Sequence, residues 1–384
     1  MIAVGQTLGY ATLYYTYGAL LVPISEGTGW SLAAMAFGLS LTLLVSAIAT
    51  PWTGRLVDRG YGAELLTYGA ALGGVILLAM SQITRIEHWY LAWALLGFAG
   101  AASLYETCFA WLTRRLGRDA RTAITRVTLV AGFASSFAFP FGAYMAQQFG
   151  WRGALIAFGC LQLFISVPLN WYAGHRLRQL AIREGAPDVP DDATGALRIA
   201  LHKRTFWVLM LAFGMVYLNH TMLVTYFIPL FSALGASAVV AVAAASCLGP
   251  AQVAGRVFLM ARGAREDALM STRTALLGIV LASLVLLAAG AAPMLIFGFA
   301  VLQGASYGTL SILRPVLVAE VLGRAGFGAI AGTIAIAPLT ASALAPILGA
   351  RVLEQGGPLA LGGTSLCLAS AGFALSFLIR RESA

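Results

Sequence analysis

Long apolar segments recur along this chain, and they limit its possible folds more than any other feature of the sequence. A helix needs about 20 predominantly apolar residues to cross the hydrocarbon core of a bilayer. Segments of that length lie at residues 3–24, 32–53, 63–84, 89–112, 123–147, 152–172, 205–231, 236–258, 270–290, 293–316, 325–350 and 358–379. They are too long and too uniformly apolar for the alternating strands of a membrane barrel. The sequence therefore predicts an all-α integral membrane protein with twelve transmembrane helices.

The overall composition leads to the same class of protein. Of the 384 residues, 60% are hydrophobic and 10% are charged, whereas soluble domains carry about 25% charged residues. The net charge of +9 does not indicate nucleic-acid binding, because the basic residues form no patch with interleaved aromatic residues. The four cysteines and four histidines show neither a disulfide framework nor metal-ligand spacing. We therefore expect no metal and no cofactor.

Basic residues are concentrated in alternate loops. One set of loops contains Arg55, Arg59, Arg114, Arg115, Arg118, Arg121, Arg176, Arg178, Arg183, Arg198, Lys203, Arg204, Arg256, Arg262, Arg265, Arg273, Arg324, Arg380 and Arg381. The other set contains only Arg85, Arg152 and Arg351. The positive-inside rule places the basic set in the cytoplasm. This predicts a multi-pass protein of the inner (plasma) membrane with both termini in the cytoplasm.

A polar segment divides the chain into two similar halves. We predict an N-terminal six-helix bundle at 1–172, a cytoplasmic linker at 173–204 and a C-terminal six-helix bundle at 205–384. The halves align when one is shifted by 206 residues, which brings Pro23 onto Pro229 among other matches. Duplicated units of this kind are typical of secondary transporters, which bind their substrate near the bilayer midplane between the repeats.

The loop between the second and third apolar segments carries a recognisable motif. It contains Gly54, then Asp58 four residues later, then Arg59 and Gly60. This pattern resembles the loop signature of the major facilitator superfamily, and a weaker copy after the eighth segment has Leu259 at the position of the aspartate.

The resemblance extends along the whole chain. It implies the major facilitator fold, in which twelve helices form two pseudo-twofold-related bundles of six. It also implies a gating role for Gly54, Arg55, Asp58, Arg59 and Gly60, in which the charges lock one conformation. A solvated loop with ordinary orienting charges is the alternative interpretation.

A finer resemblance concerns the branch of that superfamily. The stretch from Phe37-Gly38-Leu39-Ser40 to Pro51, and the stretch from Trp111 to Arg115 with the following helix that ends at Gly150-Trp151-Arg152, are similar to the monocarboxylate and oxalate–formate type. The resemblance implies a small organic anion as substrate. The chain departs from the pattern because its only lysine is Lys203, in the linker, so a lysine-based carboxylate site is not supported.

Two oppositely charged residues lie in neighbouring apolar segments. Glu106 is in the fourth segment and Arg126 is in the fifth. An ionisable side chain in mid-membrane costs about 2.5–3.5 kcal/mol on insertion scales, so such groups usually face a partner or a cavity. The two residues are predicted either to form a structural ion pair or to couple transport, with Glu106 accepting a proton when Arg126 turns to the substrate.

Further polar candidates lie in both halves. Arg314 is predicted either to bind a carboxylate through two parallel hydrogen bonds or to extend to the headgroups. His220, beside Asn219, is either a packing histidine or a hydrogen-bonding and proton-accepting group, because imidazole titrates near physiological pH. The 206-residue shift aligns His220 with Tyr14, so Tyr14, Tyr15 and Tyr17 are predicted either to add hydroxyl groups to the same cavity or to face lipid or pack against neighbouring helices.

Together these features predict a secondary active transporter of a small organic anion, such as a monocarboxylate, that works by alternating access. The expected substrate ligands are Arg126, Arg314, His220, Asn219, Tyr14 and Tyr15, and protons would be coupled through Glu106 or His220. The alternative is an exporter of drugs, metabolites or an inorganic anion. No phosphate-binding loop is visible, so ATP is not expected to drive the transport. A membrane enzyme fits less well because no nucleophile–base cluster is visible, and a channel fits less well because duplicated halves with a gating loop indicate alternating access. The expected partners are the substrate, protons and the lipid bilayer, and we expect a monomer.

Overall fold

The structure is a computed structural model, and it describes residues 1–183, 195–262 and 267–379. Nearly all of these residues are helical, and none of them forms a strand. The prediction of an all-α protein is therefore confirmed. Residues 184–194 of the predicted linker, and Arg265, Arg380 and Arg381 of the predicted cytoplasmic set, lie outside the described residues.

Seventeen α-helices follow one another along the described ranges. They are α1 Ile2–Leu13, α2 Tyr15–Thr28, α3 Leu32–Leu56, α4 Gly62–Met80, α5 Ile86–Ser103, α6 Tyr105–Leu116, α7 Ala120–Ala131, α8 Ala134–Leu161, α9 Val167–Arg183, α10 Ala196–His202, α11 Arg204–Ala233, α12 Ala238–Ser246, α13 Leu248–Arg262, α14 Ala268–Ala288, α15 Leu295–Leu322, α16 Phe327–Ile334 and α17 Ile336–Ser376. Short π-helical turns at Val57–Tyr61 and Gln162–Ser166 and a 3₁₀ turn at Gly117–Asp119 complete the order.

Eight helical stretches within the described residues are long and apolar enough to cross a membrane: Ala34–Met80, Ile86–Leu116, Ala120–Leu180, Arg204–Ala233, Val239–Arg262, Ala268–Ala288, Leu295–Leu322 and Phe327–Ser376. Three of them contain a glycine with a left-handed backbone, at Gly60 (φ 98°), Gly150 (φ 69°) and Gly357 (φ 65°). A residue in that conformation ends a helix, so each of these stretches holds two spans. With the bent pair α1 and α2, the described ranges provide the twelve predicted spans.

The chain divides into two compact units. Unit 1 consists of Met1–Leu197 and Arg324–Ile336, and unit 2 consists of Arg198–Gly323 and Ala337–Ala384. Unit 1 therefore takes in α16, which the sequence places in the second half of the chain. The predicted bundle boundaries at residues 172 and 205 stay predictions.

The interior of unit 1 depends on small residues that let helices approach closely. A Cβ atom at Gly97 would overlap the backbone of Thr42, so α3 and α5 are in direct contact. The same helices are joined by hydrogen bonds from the Thr42 hydroxyl to the carbonyl oxygen of Trp93 (2.7 Å) and from the Ser46 hydroxyl to that of Gly97 (2.7 Å). Small residues and hydroxyl groups hold helices together in this way when lipid removes the hydrophobic drive for association.

The interior of unit 2 is organised around α15. Three phenylalanines pack together where α11 meets α15: Phe227 lies 5.2 Å from Phe231 and 5.5 Å from Phe299 between ring centroids. Gly304 faces the backbone of Leu248 on α13, where a Cβ atom would lie 2.6 Å from the carbonyl oxygen. The face of α15 that packs on α11 also carries the polar candidates described below.

Candidate functional site

The motif loop places Asp58 against the start of α16, within unit 1. Asp58 is buried, with 9% of its surface exposed. Its Oδ1 accepts a hydrogen bond from the backbone nitrogen of Gly328 (2.8 Å), and its Oδ2 accepts one from that of Ala329 (2.7 Å). The first N–H groups of a helix have no partner within the helix, and the N-terminus carries a partial positive charge. The Asp58 carboxylate accepts hydrogen bonds from two of these N–H groups, and its negative charge is stabilised by the partial positive charge of the helix end.

Glycine is required where α3 and α16 cross. A Cβ atom at Gly54 would overlap the carbonyl oxygen of Gly328, and one at Gly332 would lie 2.6 Å from the carbonyl oxygen of Thr50. Both contacts are with backbone atoms, which cannot move aside as a side chain can. The two helices therefore touch along their backbones, and that approach brings Asp58 within reach of the α16 amides.

The basic residues of the motif lie at the surface. Arg55 and Arg59 are exposed, and the Arg55 guanidinium lies 5.3 Å from the centroid of the Trp52 ring. Arg114, at the end of α6, instead supports the loop by donating to the carbonyl oxygens of Val57 and Asp58. From the sequence, Arg114 was predicted only to orient the chain in the membrane, because a sequence does not show which loop an arginine reaches.

The fourth predicted span is interrupted in its middle. Leu104 is extended (φ −93°, ψ −160°) between α5 and α6, which places Glu106 in the first turn of α6 with its side chain half-buried. Neighbouring Tyr105 packs against Tyr10, with ring centroids 4.3 Å apart. Arg126 lies on α7 and is exposed. The pairing of Glu106 with Arg126 stays a prediction.

The predicted tyrosines of the first span lie where it bends, within unit 1. Tyr14 separates α1 from α2, and its ring is 5.2 Å from that of Tyr15 and 6.2 Å from that of Tyr10. Both Tyr14 and Tyr15 are half-buried. The interruptions of α1–α2 and α5–α6 thus carry a connected group of aromatic side chains.

In unit 2, the predicted residues His220 and Arg314 are connected by two tyrosines that were not predicted from the sequence. The His220 imidazole of α11 stacks on the Tyr307 ring of α15, with centroids 3.4 Å apart and planes inclined by 7°. Tyr307 meets Tyr217 edge to face at 5.4 Å. The Arg314 guanidinium lies 5.6 Å from the Tyr217 centroid. We call these four residues the aromatic column.

The spacing of the aromatic column was available in the sequence. Tyr217 and His220 are three residues apart, and Tyr307 and Arg314 are seven apart, which are separations that share one face of a helix. What the sequence did not contain was the pairing of α11 with α15. Only that pairing brings His220 and Arg314 onto one continuous surface.

Asn219 lies in a separate polar network. It is fully buried, and its amide nitrogen donates to the carbonyl oxygen (2.9 Å) and hydroxyl (2.8 Å) of Ser365. Its amide oxygen accepts a hydrogen bond from Gln303 (3.0 Å). The network connects α11, α15 and α17, so the contacts of Asn219 are those of a residue that holds helices together.

The described residues contain no group of three or more histidine, cysteine, aspartate or glutamate side chains arranged to hold a metal ion. The polar residues predicted from the sequence fall into two sets, one within each unit. Unit 1 contributes Glu106, Arg126, Tyr14 and Tyr15, and unit 2 contributes the aromatic column.

Comparison with known proteins gives one family and several relatives. The family model described as Major Facilitator Superfamily matches residues 2–346. The chain is 31% identical over 170 residues to an uncharacterized 38 kDa protein in the 23S RNA operon of Thermoproteus tenax, which covers 42% of each protein. It is 26% identical over 192 residues to monocarboxylate transporter 11 of Mus musculus, which covers 50% of this chain and 42% of that protein. Each of these matches spans less than half of the relative's length.

Two solved structures share the fold. The major facilitator transporter FucP in the outward conformation has a TM-score of 0.68 at 13% identity, covering 100% of this chain and 98% of that chain. The proton:xylose symporter XylE, bound to 6-bromo-6-deoxy-D-glucose, has a TM-score of 0.75 at 12% identity, covering 98% of this chain and 94% of that chain. At these identities the likeness concerns the fold alone.

Proposed function

Because this chain belongs to the major facilitator superfamily, we propose that it is a secondary active transporter of small organic anions, chiefly monocarboxylates, coupled to protons. Its membership confirms the resemblance found in the loop from Gly54 to Gly60, and its structural neighbours confirm the all-α major facilitator fold. Transport across a membrane by a multi-pass protein follows from the family. The anion, the proton and the residues that bind them are the proposal.

The observation that carries the proposal is the burial of Arg314. This residue lies within the apolar helix α15 with 6% of its surface exposed, and its guanidinium rests against the Tyr217 ring. A permanent positive charge buried among apolar transmembrane helices is costly, and such residues usually mark a substrate pathway. A guanidinium binds a carboxylate with two parallel hydrogen bonds, so Arg314 is suited to hold the anion.

The similarity to mouse monocarboxylate transporter 11 supports the same class of substrate. The human protein of that name, monocarboxylate transporter 11, is 25% identical over 178 residues, covering 46% of this chain and 37% of that protein. Lys203 lies at the N-cap of α11, outside the aromatic column. In the proposed mechanism the carboxylate is therefore bound by arginine, with Arg314 as its ligand in unit 2 and Arg126 as the candidate in unit 1.

Proton coupling is assigned to Glu106 and His220. Glu106 is the half-buried acid in the first turn of α6. His220 is 8% exposed, and its Nδ1 has no hydrogen-bond partner among the described residues. Tyr14 and Tyr15 provide hydroxyl groups in unit 1, whereas Asn219 is given the supporting role that its contacts describe. A coupling group must take up and release one proton in each cycle, so both its protonated and its deprotonated form must occur.

The motif loop is proposed as the gate. The Asp58 carboxylate holds the start of α16 through the N–H groups of Gly328 and Ala329, and in the proposed cycle these hydrogen bonds are released and re-formed. Gly54 and Gly60 permit the close approach and the turn, and exposed Arg55 and Arg59 supply charge at the surface. We place the protein in the inner (plasma) membrane as a monomer, with both termini in the cytoplasm.

The experiment is uptake by the full chain in proteoliposomes. Radiolabelled lactate, pyruvate and phenylacetate are offered with the outside more acidic than the inside. The proposal predicts accumulation above the outside concentration, which a protonophore abolishes. If no labelled carboxylate enters under the gradient, while counterflow with a sugar or a drug panel succeeds, the substrate class is wrong and only the transporter assignment stands.

A further inference from the structure

The aromatic column has two polar ends separated by two rings. Arg314 lies at one end against Tyr217, and the His220 imidazole lies at the other end against Tyr307. Tyr307 and Arg314 are seven residues apart on α15, which corresponds to about 10 Å at a rise of about 1.5 Å per residue. The guanidinium lies against Tyr217 and the imidazole against Tyr307, so a ligand that contacts both polar ends must extend past two tyrosine rings.

The His220 end points to a missing ligand. His220 is more than nine-tenths buried, and its Nδ1 has no hydrogen-bond partner among the described residues. A buried polar atom without a partner is costly and rare in native proteins. We therefore assign this unsatisfied Nδ1 atom to a hydroxyl or other polar group of a bound molecule.

The two tyrosines differ from packing aromatics of the same helix pair. Phe227, Phe231 and Phe299 also join α11 to α15, and all three are fully buried among apolar side chains. Tyr217 and Tyr307 are only half-buried, and the surface that they form ends in a cation on one side and an imidazole on the other. Ligand sites are lined mainly by aromatic and apolar side chains with a few polar groups, and the aromatic column has that composition.

We propose that the aromatic column binds aromatic monocarboxylates, with Tyr217 and Tyr307 as the residues that determine specificity. The carboxylate binds Arg314, the ring of the substrate packs against the two tyrosines, and a distal hydroxyl group reaches His220 Nδ1. An acid in which a benzene ring separates the carboxylate from a hydroxyl group spans the column. A three-carbon acid such as lactate engages one end only. The inference rests on the proposed function and narrows its substrate class.

The first test needs no variant. Uptake of labelled lactate by wild-type proteoliposomes is measured in the presence of unlabelled 4-hydroxyphenylacetate, phenylacetate or propionate. We expect inhibition at the lowest concentration by 4-hydroxyphenylacetate, at a higher one by phenylacetate and at the highest by propionate. Equal potency of the three acids would overturn the inference and leave the proposed function intact.

The second test uses the ratio of the KM for 4-hydroxyphenylacetate to the KM for lactate. Aromatic contacts contribute about 0.5–1.5 kcal/mol beyond area burial, so Tyr307→Leu and Tyr217→Leu are expected to raise the ratio up to about tenfold. Tyr307→Phe keeps the ring and removes only the hydroxyl group, so its ratio should stay close to the wild-type ratio. The matched control is Phe299→Leu, which removes a packing ring from the same helix and should leave the ratio unchanged.

The outcomes separate the two claims. A ratio that rises as much in Phe299→Leu as in the tyrosine variants means that the rings only pack, and the inference is wrong. A wild-type protein that carries lactate but is indifferent to 4-hydroxyphenylacetate also contradicts it, whereas transport of neither acid contradicts the proposed function as well.

Discussion

The carboxylate of Asp58 lies 2.8 Å from the backbone nitrogen of Gly328, although 270 residues separate them in the chain. Asp58 belongs to the motif of the first half, and Gly328 opens a helix that the sequence places in the second half. Both lie in unit 1. Because the aspartate accepts hydrogen bonds from backbone N–H groups at the start of α16, the contact requires that the N-terminus of that helix face the loop.

Replacing Asp58 with asparagine is expected to weaken this attachment. The variant Asp58→Asn keeps the shape but loses the charge, and only its amide oxygen can accept a hydrogen bond from the helix. Hydrogen bonds to charged groups contribute about 1.5–3 kcal/mol, so the melting temperature in detergent and the transport rate should both fall. Asp119→Asn, at an exposed acid after α6, is the control and should change neither. Wild-type behaviour of Asp58→Asn would show that the carboxylate is dispensable.

A single methyl group at Gly54 is expected to separate α3 from α16. Its Cβ would overlap the Gly328 carbonyl oxygen, and overpacking of this kind costs about 1–3 kcal/mol. Gly54→Ala should therefore lower the maximal transport rate strongly. Gly249→Ala provides the comparison, since a Cβ there meets no atom within 4 Å. Equal effects of the two substitutions on uptake would refute a role for close helix approach.

Removal of the Asn219 amide is expected to affect stability more than substrate affinity. Asn219→Ala leaves the Gln303 amide nitrogen without its buried acceptor, which costs about 1–3 kcal/mol, and it also removes two hydrogen bonds to Ser365, which keeps its contact with Ser283. The melting temperature should fall, while the KM of the protein that remains folded stays near its wild-type value. Thr225→Ala is the control on the same helix, because that exposed hydroxyl bonds only within α11. A raised KM without a loss of stability would instead return Asn219 to the substrate site.

Neutralising Glu106 is expected to separate exchange from proton-driven uptake. Glu106→Gln keeps the size of the side chain but cannot carry a proton through the cycle, so accumulation under a pH gradient should be lost while counterflow of labelled substrate continues. His220→Gln is measured in parallel. If accumulation survives in Glu106→Gln and is lost in His220→Gln, the proton is carried by the histidine.

The positions of the spans were predictable because a segment of about 20 apolar residues identifies a transmembrane helix without any tertiary information. The interruption at Leu104 was not predictable, since neither glycine nor proline occupies positions 103 to 105. The helices that meet at Asn219 and Ser365 are 146 residues apart in sequence, so their register depends on tertiary packing. For the same reason Tyr217 and Tyr307 were not predicted as site residues. Their helical spacing from His220 and Arg314 is visible in the sequence, but the pairing of the two helices is not.

Arg314 is the residue on which the account depends most, and the KM for labelled monocarboxylate in proteoliposomes tests it most directly. Charge-assisted hydrogen bonds contribute about 1.5–3 kcal/mol, so Arg314→Gln is expected to raise the KM by about 10- to 150-fold. Arg314→Lys should lie between, because a single ammonium cannot form both parallel bonds. Arg351→Gln, at an exposed arginine of the same unit, should retain the wild-type KM. If Arg314→Gln and Arg351→Gln give the same KM, the buried guanidinium does not bind the anion.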